Sequence, residues 1–362
     1  MSSQVENHKP KVKSSSSKHV NRLKILGILF TVSGAGLFAY FVYDAGLNKI
    51  LDGVGNIGFG GFAIILFIHF LRIFSRGAAW KLSVYEPYKL NLRDTIPAVI
   101  IGEAMSSMIP LGILISGTSK AVAVRNRVPF VVGLSSVATE NLFYSLVTGL
   151  FIIFGGLAFM RSFQLAEGWI FTIDVLIAII FALILLGILM VIRQWHFASA
   201  ICEKIYDKGY GRKFLENGRL HVRLFENLIY GFYRQYPHRF LPIFLFQIAF
   251  HLLGIFEAWF ILNRIGEVIP ELYSAFLLES VSRLITVVFK LVPFLIGVDE
   301  AGAQFVAENL ALAGGIGVTL AIIRKGKTLF WTAVGLILII KRGFSLKQIA
   351  GSHRENREPG ND

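Results

Sequence analysis

Apolar runs about as long as a bilayer-crossing helix recur along this chain, each closed by charged or turn-forming residues. They lie at 25–43, 60–80, 129–159, 169–192, 240–262 and 315–340. At 1.5 Å per residue, about 20 residues cross a hydrocarbon layer about 30 Å thick, so each run predicts a membrane-spanning helix. Two other stretches are apolar but broken. The first, 95–117, holds Gly102-Glu103, Ser106-Ser107, Ile109-Pro110-Leu111-Gly112 and Ser116-Gly117. Pro110 removes a backbone donor and the glycines loosen the helix. Lys89 and Arg93 precede this stretch, and Lys120, Arg125 and Arg127 follow it, so it enters and leaves on one basic face. The second begins near Glu279 and is broken at Pro293 and Gly297, ahead of Asp299-Glu300. Irregular backbone survives at membrane depth only where protein or water satisfies it, so both stretches read as re-entrant hairpins.

The last apolar run contains Arg324-Lys325-Gly326-Lys327. If these formed a loop, the helix after it would be only about 20 Å long, too short to span. A single helix over 315–340, with three cations near its middle, is the expectation. The fold class is then an all-α polytopic membrane protein with about six full spans plus two re-entrant broken hairpins. Residues 60–159 and 240–340 each read span, broken hairpin, span, and they start from opposite sides of the membrane. Such an inverted repeat points to a transport site at the repeat interface.

Charge sets the orientation. Lys9, Lys11, Lys13, Lys18, Arg22 and Lys24 precede the first run, which lacks a small-residue cleavage site and reads as an uncleaved span. The positive-inside rule places both termini in the cytoplasm and the protein in the cell's inner (cytoplasmic) membrane. The organisation expected is a disordered basic tail at 1–24, a transmembrane domain at 25–342 with a cytoplasmic loop at 193–239, and a second cytoplasmic tail at 343–362. Within that loop Trp195, Phe197, Ile201 and Ile205, then Leu220, Leu224 and Leu228, recur at helical spacing and predict amphipathic helices on the membrane surface. Attraction to anionic lipid and simple setting of topology are both open roles for it.

Composition agrees: hydrophobic residues are 54% of the chain and charged residues 16%, against about a quarter charged in soluble proteins. The net charge of +13 is carried by loops and tails, so it does not indicate nucleic acid. The lone Cys202 excludes an intramolecular disulfide. No cofactor and no metal are expected, and self-association stays open.

Candidate chemistry lies in ionisable residues inside apolar sequence, each costing about 3 kcal/mol or more at the bilayer centre. Arg72 and Arg76, four apart with His69 a turn earlier, share a helix face; snorkelling to the interface is the alternative. Glu140 falls about 16 Å into its span, facing a polar cavity or kept as a neutral core carboxyl. Glu279, Arg283 and Lys290 stripe one face, with Glu279 and Arg283 expected to pair. Asp299 and Glu300 follow the helix break, an exposed loop being the bland alternative. Glu103, Arg324, Lys325 and Lys327 complete the set.

Several of these residues carry a resemblance. Arg76-Gly77-Ala78-Ala79-Trp80-Lys81, Glu140 within its span, and Pro293-Phe294-Leu295-Ile296-Gly297-Val298-Asp299-Glu300-Ala301-Gly302 followed by Arg324 resemble the lysylphosphatidylglycerol synthase transmembrane-region family, also called flippase-like integral membrane proteins. The resemblance implies translocation or handling of a lipid with a polar or anionic headgroup. The chain departs from the family in having Glu140-Asn141 where Glu-Arg is frequent, and in a sparser charge pattern after Pro110. No aminoacyl-transferase domain follows Ile340, so lipid aminoacylation by this chain is not expected.

A lipid flippase is thus the leading expectation, with a membrane lipid as partner. Arg72, Arg76, Arg283, Lys290, Arg324, Lys325 and Lys327 would receive phosphate, while Glu103, Glu140, Glu279, Asp299 and Glu300 balance charge or carry protons. A lipid-modifying membrane enzyme is the first alternative; Gly326-Lys327-Thr328 mimics the end of a phosphate-binding loop, but Ala321 occupies the first glycine position. A lipid-binding accessory subunit of such an enzyme is the second.

Overall fold

The computed structural model describes residues 39–341 except 41, 45, 109–111, 164–166, 208–211, 267–270, 290 and 291. Pro110, Lys290, both tails and most of the first expected span lie outside the described residues. Among the described residues the regular structure is helical throughout: α1 (Leu47–Leu82), α2 (Leu92–Met108), α3 (Gly112–Ala123), α4 (Phe130–Ser162), α5 (Glu167–Arg193), α6 (Phe197–Asp207), α7 (Arg212–Gln235), α8 (Phe240–Ile265), α9 (Leu272–Val288), α10 (Val298–Asn309) and α11 (Ile316–Lys341). Short 3-10 turns stand at Pro237–Arg239 and Pro293–Leu295. Among the described residues, four stretches are long and apolar enough to cross a membrane: α1, α4, Ile170–Arg193 of α5, and α8 with its preceding turn. The chain is an all-α polytopic membrane protein.

The breaks fall where the sequence weakens the helix. The first interrupted stretch forms α2 and α3, packed on each other. The second forms α9 and α10, likewise packed together; Gly297, at φ +81°, turns the chain into α10. α1 begins earlier than the expected span, but Gly58, at φ +59° and ψ 179°, kinks it close to the expected start. A side chain would strain that conformation, so glycine sets the break. Arg324-Lys325-Gly326-Lys327 lie inside the single helix α11, as the length argument predicts.

At the centre α1 and α8 run antiparallel. Gly53 near the start of α1 faces Ile265 at the end of α8, and Arg72 bonds Glu257 farther along. Around this pair the packing repeats. Hairpin α2–α3 packs against α11, and hairpin α9–α10 packs against α4. α4 in turn lies on α3, as α11 lies on α10. Glycines allow the close contacts at matching places. Gly133 of α4 faces Ala121 of α3, and Gly317 of α11 faces Ala303 of α10. Gly155 of α4 meets Ser280 of α9, and Gly335 of α11 meets Ala104 of α2. Seven residues beyond Gly133 comes Glu140, and seven beyond Gly317 comes Arg324.

α5 packs on α4 with most of its surface outward. The expected amphipathic helices are α6 and α7. Glu226 of α7 accepts from the backbone N–H groups of Ala198 and Ser199, which caps α6. Phe232 of α7 is buried beside Phe143 of α4, while Leu220 and Leu224 are exposed.

The glycine contacts yield a test with a definite sign. Glycine to alanine inside a helix ordinarily stabilises by about 0.5–1 kcal/mol. A Cβ on Gly317 would lie 2.5 Å from the Ala303 carbonyl oxygen and from the Gln304 Cα, both backbone atoms. Gly317→Ala is therefore expected to destabilise by about 1–3 kcal/mol, whereas Gly60→Ala, with open space around it, should not. Unfolding midpoints of the two variants in detergent give the comparison.

Candidate functional site

α1 is the spine of the site. Counting from Gly58, Arg72 lies about 20 Å along the helix and about 15 Å from its end. His69, Arg72 and Arg76 follow at spacings of three and four, so all three project from one side.

Arg72 is buried at 3% exposure. Its Nη1 donates to Glu257 Oε2 on α8 and its Nη2 to Glu279 Oε1 on α9, both at 3.3 Å. Glu279 collects two more guanidiniums. Arg283, one turn on, donates from Nε and Nη2 to Oε1 at 3.1 and 2.9 Å. Arg324 of α11 donates from Nη2 to Oε2 at 2.7 Å and from Nη1 to Ser282 Oγ at 3.2 Å. Lys327, one turn past Arg324, pairs with Glu257. The Phe250 ring lies 4.4 Å from Arg72 and 5.3 Å from Arg283, presenting its π face to both cations. Gly254 makes room: a Cβ there would fall 2.5 Å from Glu279 Oε1. Four cations thus share two carboxylates, a formal surplus of two positive charges. The Nε groups of Arg72 and Arg324 are buried without an acceptor among the described residues.

A second centre sits one turn further along α1. Arg76 donates from Nε and Nη2 to Glu140 at 3.0 to 3.1 Å, and from Nη2 to Asn141 Oδ1 at 2.9 Å. Gln247 of α8 donates to Glu140 Oε1 at 3.0 Å, and Lys120 of α3 stands 3.8 Å from Oε2. The Tyr144 ring lies 4.3 Å from the Arg76 guanidinium. Two smaller pairs flank these centres. His69 Nε2 is 3.5 Å from Glu103 Oε2 of α2. Lys325 reaches Glu300 at 2.6 Å and Asp299 at 3.9 Å on α10.

The structure divides the predicted residues between two ion-paired centres and two flanking pairs, with Lys290 outside the described residues. Glu279 and Arg283 pair as expected. Arg72 does not snorkel; its guanidinium is held between two carboxylates. Glu140, read as cavity-facing or neutral in the core, is instead an ion-paired core carboxylate. Asp299 and Glu300 occupy the first turn of α10 rather than an exposed loop, and Glu300 accepts the Gly297 N–H and caps that helix. Glu140 does not share a carboxylate cluster with Arg283 and Arg324; Arg72 and Arg76, adjacent turns of α1, join the two centres. The Gly326-Lys327-Thr328 backbone is helical, so it forms no phosphate-cradling loop.

Sequence reasoning missed Lys120, which it took for a basic flank although the residue is 2% exposed. It also left Glu257 and Gln247 out of the site. A carboxylate inside the apolar run of α8 was the available signal for Glu257; nothing local marked Gln247.

Fold and site together define a polytopic membrane protein whose helices converge on buried ion clusters, one of them holding three arginines. The chain belongs to the lysylphosphatidylglycerol synthase TM region family, whose profile matches residues 24–335. This gives it a lipid-related membrane function. Searches of curated proteins and of solved structures return no match.

The charge count sets up an asymmetry. Glu279→Ala takes a carboxylate from three guanidiniums, of which Arg72 alone keeps another, Glu257, and is expected to cost about 3–5 kcal/mol. Arg283→Gln removes one surplus charge from a partly open position and should cost about 1 kcal/mol or less. Denaturant unfolding of the purified variants measures both.

Proposed function

We propose that the protein translocates a lipid with an anionic or polar headgroup between the leaflets, acting as a transporter rather than an enzyme. One observation carries this reading: the cation surplus around Glu279 and Glu257. Buried charge in proteins is normally balanced, because an unpaired ion in low dielectric costs several kcal/mol. A phosphate entering beside Arg72, Arg283 and Arg324 would supply the missing negative charge. Guanidinium groups fit it well, since their planar fork donates two parallel hydrogen bonds to phosphate oxygens.

The repeated packing supports transport. If α1–α4 and α8–α11 are equivalent halves, their first helices, α1 and α8, run antiparallel. The axis relating them then lies across the helices, in the plane of the membrane. That is the inverted-repeat arrangement in which transport sites form between halves. On this reading α2–α3 and α9–α10 are the re-entrant hairpins, each closed against the last span of the other half. The basic loops then face the cytoplasm at the inner membrane.

Full-length protein reconstituted into vesicles with fluorescent phosphatidylglycerol tests the proposal through the rate at which label crosses to the outer leaflet. Each charge-assisted contact contributes about 1.5–3 kcal/mol. Arg324→Ala is therefore expected to slow crossing about 10- to 100-fold while the protein still folds. Wild-type vesicles no faster than protein-free ones, or an unchanged rate in Arg324→Ala, would overturn the assignment.

A further inference from the structure

We propose that His69 and Glu103 form a proton-carrying pair that couples proton movement to headgroup movement. The inference rests on the transport reading and adds what drives or biases it.

The geometry is specific to this histidine. His69 Nε2 stands 3.5 Å from Glu103 Oε2, which joins the spine α1 to the hairpin helix α2. Glu103 keeps 28% of its side-chain surface open, and on this proposal it is the member of the pair that exchanges the proton. The other ring nitrogen, Nδ1, is buried without a hydrogen-bond partner among the described residues. On the α11 side the ring lies 6.0 Å from Trp331, with Lys327 one turn away on that helix. Arg72 is three residues on along α1 itself. The charged groups facing the ring are therefore Glu103 from α2, Lys327 from α11, Arg72 and Arg76 from α1, and Glu257 from α8, the carboxylate of Lys327. Imidazole is the side chain whose unperturbed titration falls between pH 5 and 8, so among these groups it is the one suited to gain and lose a proton.

A second buried histidine shows the contrast. His251 bonds Thr148 at 3.0 Å and is surrounded by the rings of Tyr144, Phe151 and Phe250, with no carboxylate bonded to it among the described residues. It lacks the half-open carboxylate that Glu103 gives His69.

Coupling follows from charge. An anionic headgroup beside Arg72 cancels part of the local positive potential, which makes a proton on His69 more favourable. By reciprocity, a proton on His69 favours the anion by the same factor. Proton and anionic headgroup thus load together, and the cargo of headgroup plus proton carries less net charge than the headgroup alone would. With the proton lost through Glu103, the cation cluster releases the anion more readily. The hairpin helix α2, which bears Glu103, is the element that senses this exchange.

The test uses full-length protein in vesicles containing fluorescent phosphatidylglycerol, with an entrapped pH dye and an imposed pH gradient. Coupling of one proton to one lipid lets a gradient of about one pH unit skew the leaflet ratio up to about tenfold. The expected result is a skew that follows the gradient's direction, accompanied by proton flux in the dye signal. His69→Gln and Glu103→Gln are expected to lose the skew at whatever crossing rate they retain, with unfolding midpoints in detergent reporting that they fold. His251→Gln is expected to keep the skew. Label that crosses in wild type with no response to the gradient and no proton flux would overturn this inference and leave transport standing. A skew kept in both His69→Gln and Glu103→Gln would also overturn it. No crossing in wild type would overturn the transport reading and this inference with it.

Discussion

The fold depends on the pairing of Glu279 with three guanidiniums. Arg72, Arg283 and Arg324 come from α1, α9 and α11, and all three converge on this one carboxylate. At low dielectric an ion left alone costs several kcal/mol, more than most packing contacts return. These helices therefore cannot separate, slide by a turn or rotate without exposing charge to hydrocarbon. Packing of small residues alone would hold them far less strictly, since lipid tails solvate apolar helices as well as protein does.

Glycine makes the ion cluster reachable. Guanidinium and carboxylate must meet within about 3 Å, which requires the helix axes to come close. Gly254 admits the Glu279 carboxylate, Gly102 admits the Lys120 chain, and Gly317 lets α11 rest on the α10 backbone. The same feature recurs at Gly133 and Gly155 of α4. Glycine weakens each helix individually by about 0.5–1 kcal/mol. The contacts it permits offset that cost.

Much of this was legible in the sequence, for reasons that particular residues show. The spans are visible because an unbroken run of about 20 apolar residues matches the thickness of a bilayer and exceeds what the core of a soluble domain usually takes up. The second break is visible because Pro293 and Gly297 leave local signatures, whereas the kink at Gly58 was not marked. The length argument assigned Arg324, Lys325 and Lys327 to one helix, and α11 is that helix. Pairings were less accessible. Spacing on one helix predicted Glu279 with Arg283, four residues apart. It could not predict Glu279 with Arg324, 45 residues away, or Arg72 with Glu257, 185 away. Lys120 was misread because a lysine after an apolar stretch has two physical uses, marking the cytoplasmic side or closing a buried ion pair. Only tertiary packing distinguishes them.

The position of Arg72 and Arg76 on adjacent turns of α1 links the two sets of helices. Arg76 answers Glu140, a carboxylate of the first set, while Arg72 answers Glu257 and Glu279, carboxylates of the second. Any relative shift of the sets along α1 must lengthen one group of bonds before the other. Arg76 is held by Glu140 and Asn141 at 2.9 to 3.1 Å, whereas both Arg72 bonds are longer at 3.3 Å and its Nε is unanswered among the described residues. The Arg72 side is therefore the weaker joint. On the transport reading it is where an arriving phosphate competes best: it can take up the guanidinium surface that Glu279 divides among three arginines.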